Sequence, residues 1–200
     1  MAAVLNIPPA SKHWTFADLV QFDETERYEI YNGRLIPMAP SPNAFHQRLV
    51  SRLHLLLAGF VQTRDLGEVF VAPFDVVLAE DNTAQPDLLF IAMENANIVK
   101  DWVFGAPDLV VEILSPSSIR RDRYDKQTQY ARFGVKEYWI VDPANHSLEI
   151  LELQNKQFVV HSSAAETGRR NPACSPAWSS TWRSCFRNVS AALALRPVFG

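Results

Sequence analysis

Two hundred residues, 48% of them hydrophobic and 20% charged, suit one globular domain with a real core rather than a disordered or fibrous chain. A formal net charge of −3, from 19 basic and 22 acidic residues, excludes a global positive field, so any nucleic-acid binding must rest on a local patch. No apolar run approaches the roughly 20 residues that span a bilayer, residues 1–10 lack the pattern of a secretory signal, and the two cysteines, Cys174 and Cys185, fit no metal-spacing motif; a cytoplasmic setting is expected.

Residues 1–13 contain proline and read as loose. A short helix is predicted over 15–20, with Thr15 as its N-cap. Residues 28–36 predict a β-hairpin, because Asn32-Gly33 is the preferred pair for a tight type I′ turn. From 43 to 62, Phe45, Leu49, Leu53, Leu56 and Phe60 recur at helical spacing and predict a long amphipathic helix. The Val- and Phe-rich stretch 68–78 predicts one strand, and the nearly continuous apolar runs at 87–92 and 108–114 suit strands covered on both faces. Ser117 or Ser118 caps a predicted helix that runs to Phe133 and stops at Gly134. Residues 137–142 read as another buried strand, and 147–153 with 157–161 as an antiparallel pair. The order predicts an α/β (α+β) domain over 14–165, a mixed central sheet flanked by helices.

The tail departs from this patterning. Residues 166–200 hold both cysteines and show no helix or strand period.

Chemistry concentrates between Pro86 and Tyr130. Asp87 heads an apolar run; it is either a solvated strand-start residue or a metal ligand. Glu112 lies inside Leu109-Val-Val-Glu-Ile-Leu, where a buried carboxylate costs several kcal/mol unless paired or metal-bound. Its bland alternative is an ion pair with Lys126 or an arginine. Asp122, Lys126 and Tyr130 are spaced by four and share a helix face, which is either an exposed, weak ion pair or a face turned back to the strand ends. Two carboxylates on adjacent strand ends can hold a hard divalent cation, and a nearby lysine can stabilise charge on a phosphate. Arg120, Arg121, Arg123 and Arg132 make this helix locally basic, read either as solvation or as a phosphate contact. Glu29 is either exposed on its strand or a third acid at the site. His46 and His54 read as ordinary helix residues rather than a metal pair. There is no Gly-rich phosphate loop, nucleophile elbow or His-Glu-x-x-His.

In this order the residues resemble the PD-(D/E)XK nuclease superfamily, and more closely its Uma-type family of restriction endonucleases. The matching segments are Tyr28-Glu-Ile-Tyr-Asn-Gly33, Met38, His46, Pro86-Asp87, Glu112-Ile-Leu-Ser-Pro-Ser117, Asp122 with Lys126 and Tyr130, and Gly134-Val-Lys-Glu-Tyr-Trp-Ile-Val-Asp-Pro143. The resemblance implies a restriction-endonuclease-like core and a divalent metal, Mg²⁺ with Mn²⁺ as a substitute, bound by Asp87 and Glu112. It implies Lys126 as the residue that orients or activates the attacking water, with Glu29, Tyr130 and Asp122 in support. The superfamily pattern puts its lysine two residues after the second acid, where this chain has Leu114; in this family the lysine has moved to the next helix, as Lys126. DNA is the implied substrate, and double-strand cleavage favours a homodimer because one site cuts one strand. The rival readings are a catalytically inactive nuclease-fold module that binds nucleic acid or a protein partner, and a purely structural salt-bridge cluster.

Family members end in a Leu-Pro-Gly-Leu segment near Leu-Phe. With GC-rich codons, residues 174–186 read two nucleotides along give Leu-Pro-Gly-Leu-Glu-Leu-Asp-Leu-Ala-Glu-Leu-Phe. We hypothesise a frameshift near Gly168; a gene sequence whose alternative frame lacks that peptide removes the idea.

Overall fold

The computed structural model describes residues 11–23, 26–38, 42–115 and 118–165. The expectations for residues 1–10, the capping role of Ser117 and the tail 166–200 lie outside the described residues.

The chain opens with a single helical turn, α1 (Phe16–Leu19). The Asp18 carboxylate accepts from the Thr15 amide at 3.0 Å and the Thr15 hydroxyl at 2.9 Å, satisfying donors that a helix start leaves bare. The hairpin follows as β1 (Tyr28–Tyr31) and β2 (Arg34–Pro37). Asn32 (φ 48°) and Gly33 (φ 73°) both take positive φ at its tip, as a type I′ turn requires. Helix α2 (Ala44–Gln62) starts at Asn43, whose side chain accepts from the amides of Phe45 and His46. It buries Leu49, Leu53, Leu57 and Val61, each burial worth about 2 kcal/mol.

Residues 68–78 do not form one strand. They divide into β3 (Gly67–Val71) and β4 (Val76–Ala79), which belong to different sheets. Pro73 lies between them after a cis Ala72–Pro73 peptide, and with no N–H to give a ladder it breaks the run. Two short strands went unpredicted, β5 (Asn82–Ala84) and β7 (Val103–Phe104); they flank β4 as β5-β4-β7. At three and two residues, neither gives a readable period.

The main sheet adds β6 (Leu88–Ala92), β8 (Leu109–Ile113), β9 (Glu137–Asp142), β10 (Ser147–Gln154) and β11 (Gln157–Ala165). Its order is β11-β10-β9-β8-β6-β3, with β8 and β9 parallel and every other pair antiparallel. The parallel pair needs a crossover. It is supplied by a π-helical segment, Arg121–Lys126, that runs straight into α3 (Gln127–Phe133). Gly134, at φ 90°, ends α3 in the left-handed conformation that closes a helix. Period-two alternation splits the central strands between two cores. Leu88, Val111, Ile113 and Trp139 pack under α2, whereas Val110, Leu114, Tyr138 and Ile140 face Tyr130 of α3. The mixed sheet, flanking helices and N-terminal hairpin are those expected from the sequence.

Candidate active site

Strand register brings the two acids together. Leu88 pairs with Val111 in antiparallel register, so Asp87, one residue earlier, falls opposite Glu112. The Ile113 amide then donates to Asp87 Oδ2 at 2.7 Å. Glu112 lies two residues from both Val110 and Leu114 and shares their face, so its side chain enters the face that α3 covers.

Helical geometry delivers the cation. Asp122, Lys126 and Tyr130 are all buried, at 3%, 7% and 0% exposure, so the exposed-face alternative fails. Lys126 Nζ donates to Glu112 Oε1 at 2.7 Å and lies 3.4 Å from Glu29 Oε1 and 3.7 Å from Asp122 Oδ1. The Tyr130 hydroxyl donates to the same Glu112 oxygen at 2.8 Å. Glu29 is buried too, so its exposed alternative also fails. It accepts from the Gln85 amide at 2.7 Å and pairs with Arg121. Arg121 and Lys126 therefore reach the two oxygens of one carboxylate although they stand five residues apart. In a regular α-helix such residues diverge by roughly 140°; the π-helical segment, with its i→i+5 pattern, brings them to one face.

Of the other arginines, Arg123 pairs with Asp142 and Glu149, and Arg132 donates to Asn32 at 2.8 Å. The basic helix face is thus largely used inside the fold. His46 differs from its expected role. Its Nε2 lies 3.3 Å from Asp87 Oδ2, which puts it at the site, while no such contact involves His54 among the described residues. Helical periodicity marked both only as helix residues. Asn43 caps the turn that carries His46, but nothing local in the sequence places that turn beside a strand end.

Counted in their ordinary ionised states, Glu29, Asp87, Glu112 and Asp122 set four negative charges against the two of Arg121 and Lys126. Burial pushes Glu112 well above the usual carboxylate range, Lys126 opposes the rise, and the charges of Asp122, Asp87 and Glu29 add to it. Burial likewise raises Asp122, against Lys126. Burial alone would lower Lys126, but Glu112, Glu29 and Asp122 outweigh it and its pKa rises. The raised acid and the raised lysine pull against each other. Two donors converge on Glu112 Oε1, the arrangement of an ionised acceptor, so a protonated Lys126 beside a carboxylate is the state we adopt. Burial, then Glu112, raise Tyr130, which stays a donor.

Among the described residues no three His, Cys, Asp or Glu side chains converge into a ready-made metal group. The donors nevertheless suit a hard divalent cation. Asp87 Oδ2 and Glu112 Oε1 are tied, whereas Asp87 Oδ1 and Glu112 Oε2 take no hydrogen bond among the described residues. Two such carboxylate oxygens within an excess of negative charge match the one or two carboxylates that Mg²⁺ takes while keeping its waters.

No curated protein matches the chain. A crystal structure titled a "putative nuclease belonging to DUF820", from Anabaena variabilis ATCC 29413, is similar in fold, with a TM-score of 0.61 at 18% identity over 73% of this chain and 83% of that one. The family model described as "Putative restriction endonuclease" matches residues 15–182, a span that includes all of the site residues described above. The chain belongs to this family, Uma2.

Proposed function

We propose that the protein is a metal-dependent endonuclease that hydrolyses DNA phosphodiester bonds. One observation carries the reading: two acids on adjacent strand ends each have one oxygen tied and one without a hydrogen bond among the described residues, beside a buried lysine. The family description and the name of the Anabaena protein favour a nuclease. Asp87 and Glu112 would hold Mg²⁺, with Mn²⁺ as a substitute and the Ile113 carbonyl as a further oxygen. Bound there, the ion supplies Lewis-acid polarisation of a phosphodiester and a more acidic water.

The remaining work falls to the chain. Lys126, held protonated by the carboxylates around it, is a poor base and instead stabilises charge developing on the phosphate. Tyr130 fixes the Glu112 carboxylate that orients Lys126. Glu29 and Asp122 keep the ammonium in place, and Arg121 holds Glu29. The site cuts one strand, so duplex cleavage calls for a homodimer. No helix among the described residues is long and apolar enough to cross a membrane, and a cytoplasmic location is part of this proposal.

A second reading has one observation in its favour. Lys126 is 7% exposed and turns its ammonium to three carboxylates, as a structural ion cluster would. Incubation with supercoiled, linear duplex and single-stranded DNA in Mg²⁺ or Mn²⁺ separates the two. The proposal expects cleavage by the wild type and none by folded Asp87→Ala or Lys126→Ala. Equal cleavage by all three refutes the mechanism, and no cleavage by the wild type favours the inactive module.

A further inference from the structure

Asp87 Oδ2 sits between two contacts: the Ile113 amide at 2.7 Å and His46 Nε2 at 3.3 Å. The first comes from the neighbouring strand and the second from the first turn of α2, on the other side of the sheet edge. Together they hold one oxygen from two sides, while Oδ1 takes no hydrogen bond among the described residues. A carboxylate gripped from two elements has little freedom to turn its tied oxygen outward.

The imidazole is itself constrained. Its side chain is 13% exposed, and Nδ1 is the one buried side-chain nitrogen or oxygen among the described residues that lacks a partner. Its ring neighbour spends the other nitrogen on Asp87. An ionised carboxylate oxygen can only accept, so the 3.3 Å contact calls for a proton on Nε2.

We propose that His46 is a positioning residue: by donating to Asp87 Oδ2 it orients Asp87 so that Oδ1 faces the cation site. This rests on the proposed metal-dependent function, and it assigns to His46 no contact with the ion or the substrate. The same hydrogen bond can be made by a glutamine amide but not by leucine.

Two readouts test it in His46→Leu and His46→Gln. The first is Mn²⁺ affinity, by electron paramagnetic resonance of the free ion. The second is the Ile113 amide signal by NMR without metal, which reports whether Oδ2 still accepts from it. His46→Leu should weaken Mn²⁺ binding about 10–100-fold, the usual loss for a group that orients a ligand, and shift the Ile113 amide. His46→Gln should restore both. Unchanged affinity in His46→Leu, or equal losses in both variants, overturns the positioning role, the latter because it marks direct ligation. A wild type that binds no Mn²⁺ fails the proposed function instead. The amide then decides alone: a shift that glutamine restores sustains the positioning role, and an unmoved amide overturns it.

Discussion

Replacing Lys126 by methionine keeps the length of the side chain and removes its charge. Glu112 at 2.7 Å, Glu29 at 3.4 Å and Asp122 at 3.7 Å then lose their shared counter-ion, and Arg121 is the cation that still pairs with Glu29. Removing one partner of a buried pair costs about 3–5 kcal/mol. At roughly 2–4 °C per kcal/mol for a chain of this size, the melting temperature falls by roughly 6–20 °C. The pH dependence has a definite sign. The folded pKa of Lys126 is raised above its ordinary 10.5, so its contribution is complete below that pH and is lost only as pH climbs beyond it. Glu112 is raised above its ordinary 4.5, so the folded state holds the proton longer and stability falls as pH rises from 4.5 through the folded value. Without Lys126 that fall steepens, by up to about 1.4 kcal/mol per pH unit. Thermal melts of Lys126→Met from about pH 5 to about pH 8 should therefore show a deficit that grows with pH. Adding Glu112→Gln should recover part of it, a coupling of about 1–3 kcal/mol. A pH-independent deficit, or strict additivity in the double variant, refutes the ion cluster.

Tyr130→Phe removes one of two donors to Glu112 Oε1 in a fully buried site, and should cost about 1–2 kcal/mol by chemical denaturation. Leu53→Ala, on the α2 face of the sheet, should cost about 2–5 kcal/mol and leave divalent-metal affinity unchanged, which separates stability from site function. Gly67→Ala should destabilise by about 1–3 kcal/mol: Gly67 has φ 142°, and an added Cβ would meet the Ile91 carbonyl oxygen, backbone that cannot swing aside. Denaturant midpoints measure all three.

The fold was legible wherever one physical signal dominated. Asn32-Gly33 set the hairpin, the spacing of Phe45, Leu49, Leu53, Leu56 and Phe60 set α2, although its fully buried side chains are Leu49, Leu53, Leu57 and Val61, and the unbroken apolar runs set β6, β8 and β9. The expected strand over 68–78 failed because β-propensity outweighed Pro73 in that reading, and composition says nothing of sheet membership. At the site, Glu112 stood out because a charge inside an apolar run demands a partner, Asp87 because it heads such a run, and Lys126 because it shares a helix face with Asp122 and Tyr130. Arg121 and His46 were not. Arg121 needs a π-helical segment, invisible to a 3.6-residue period, to reach Glu29. His46 depends on where α2 begins relative to a strand end far along the chain, a distance no local pattern encodes.

Calorimetric titration of Mg²⁺ or Mn²⁺ into the wild type and Glu112→Gln shows whether Asp87 and Glu112 hold a divalent cation. Saturable binding by the wild type, weakened at least about tenfold in Glu112→Gln, is the predicted result. No binding by the wild type, or equal binding by both, contradicts it.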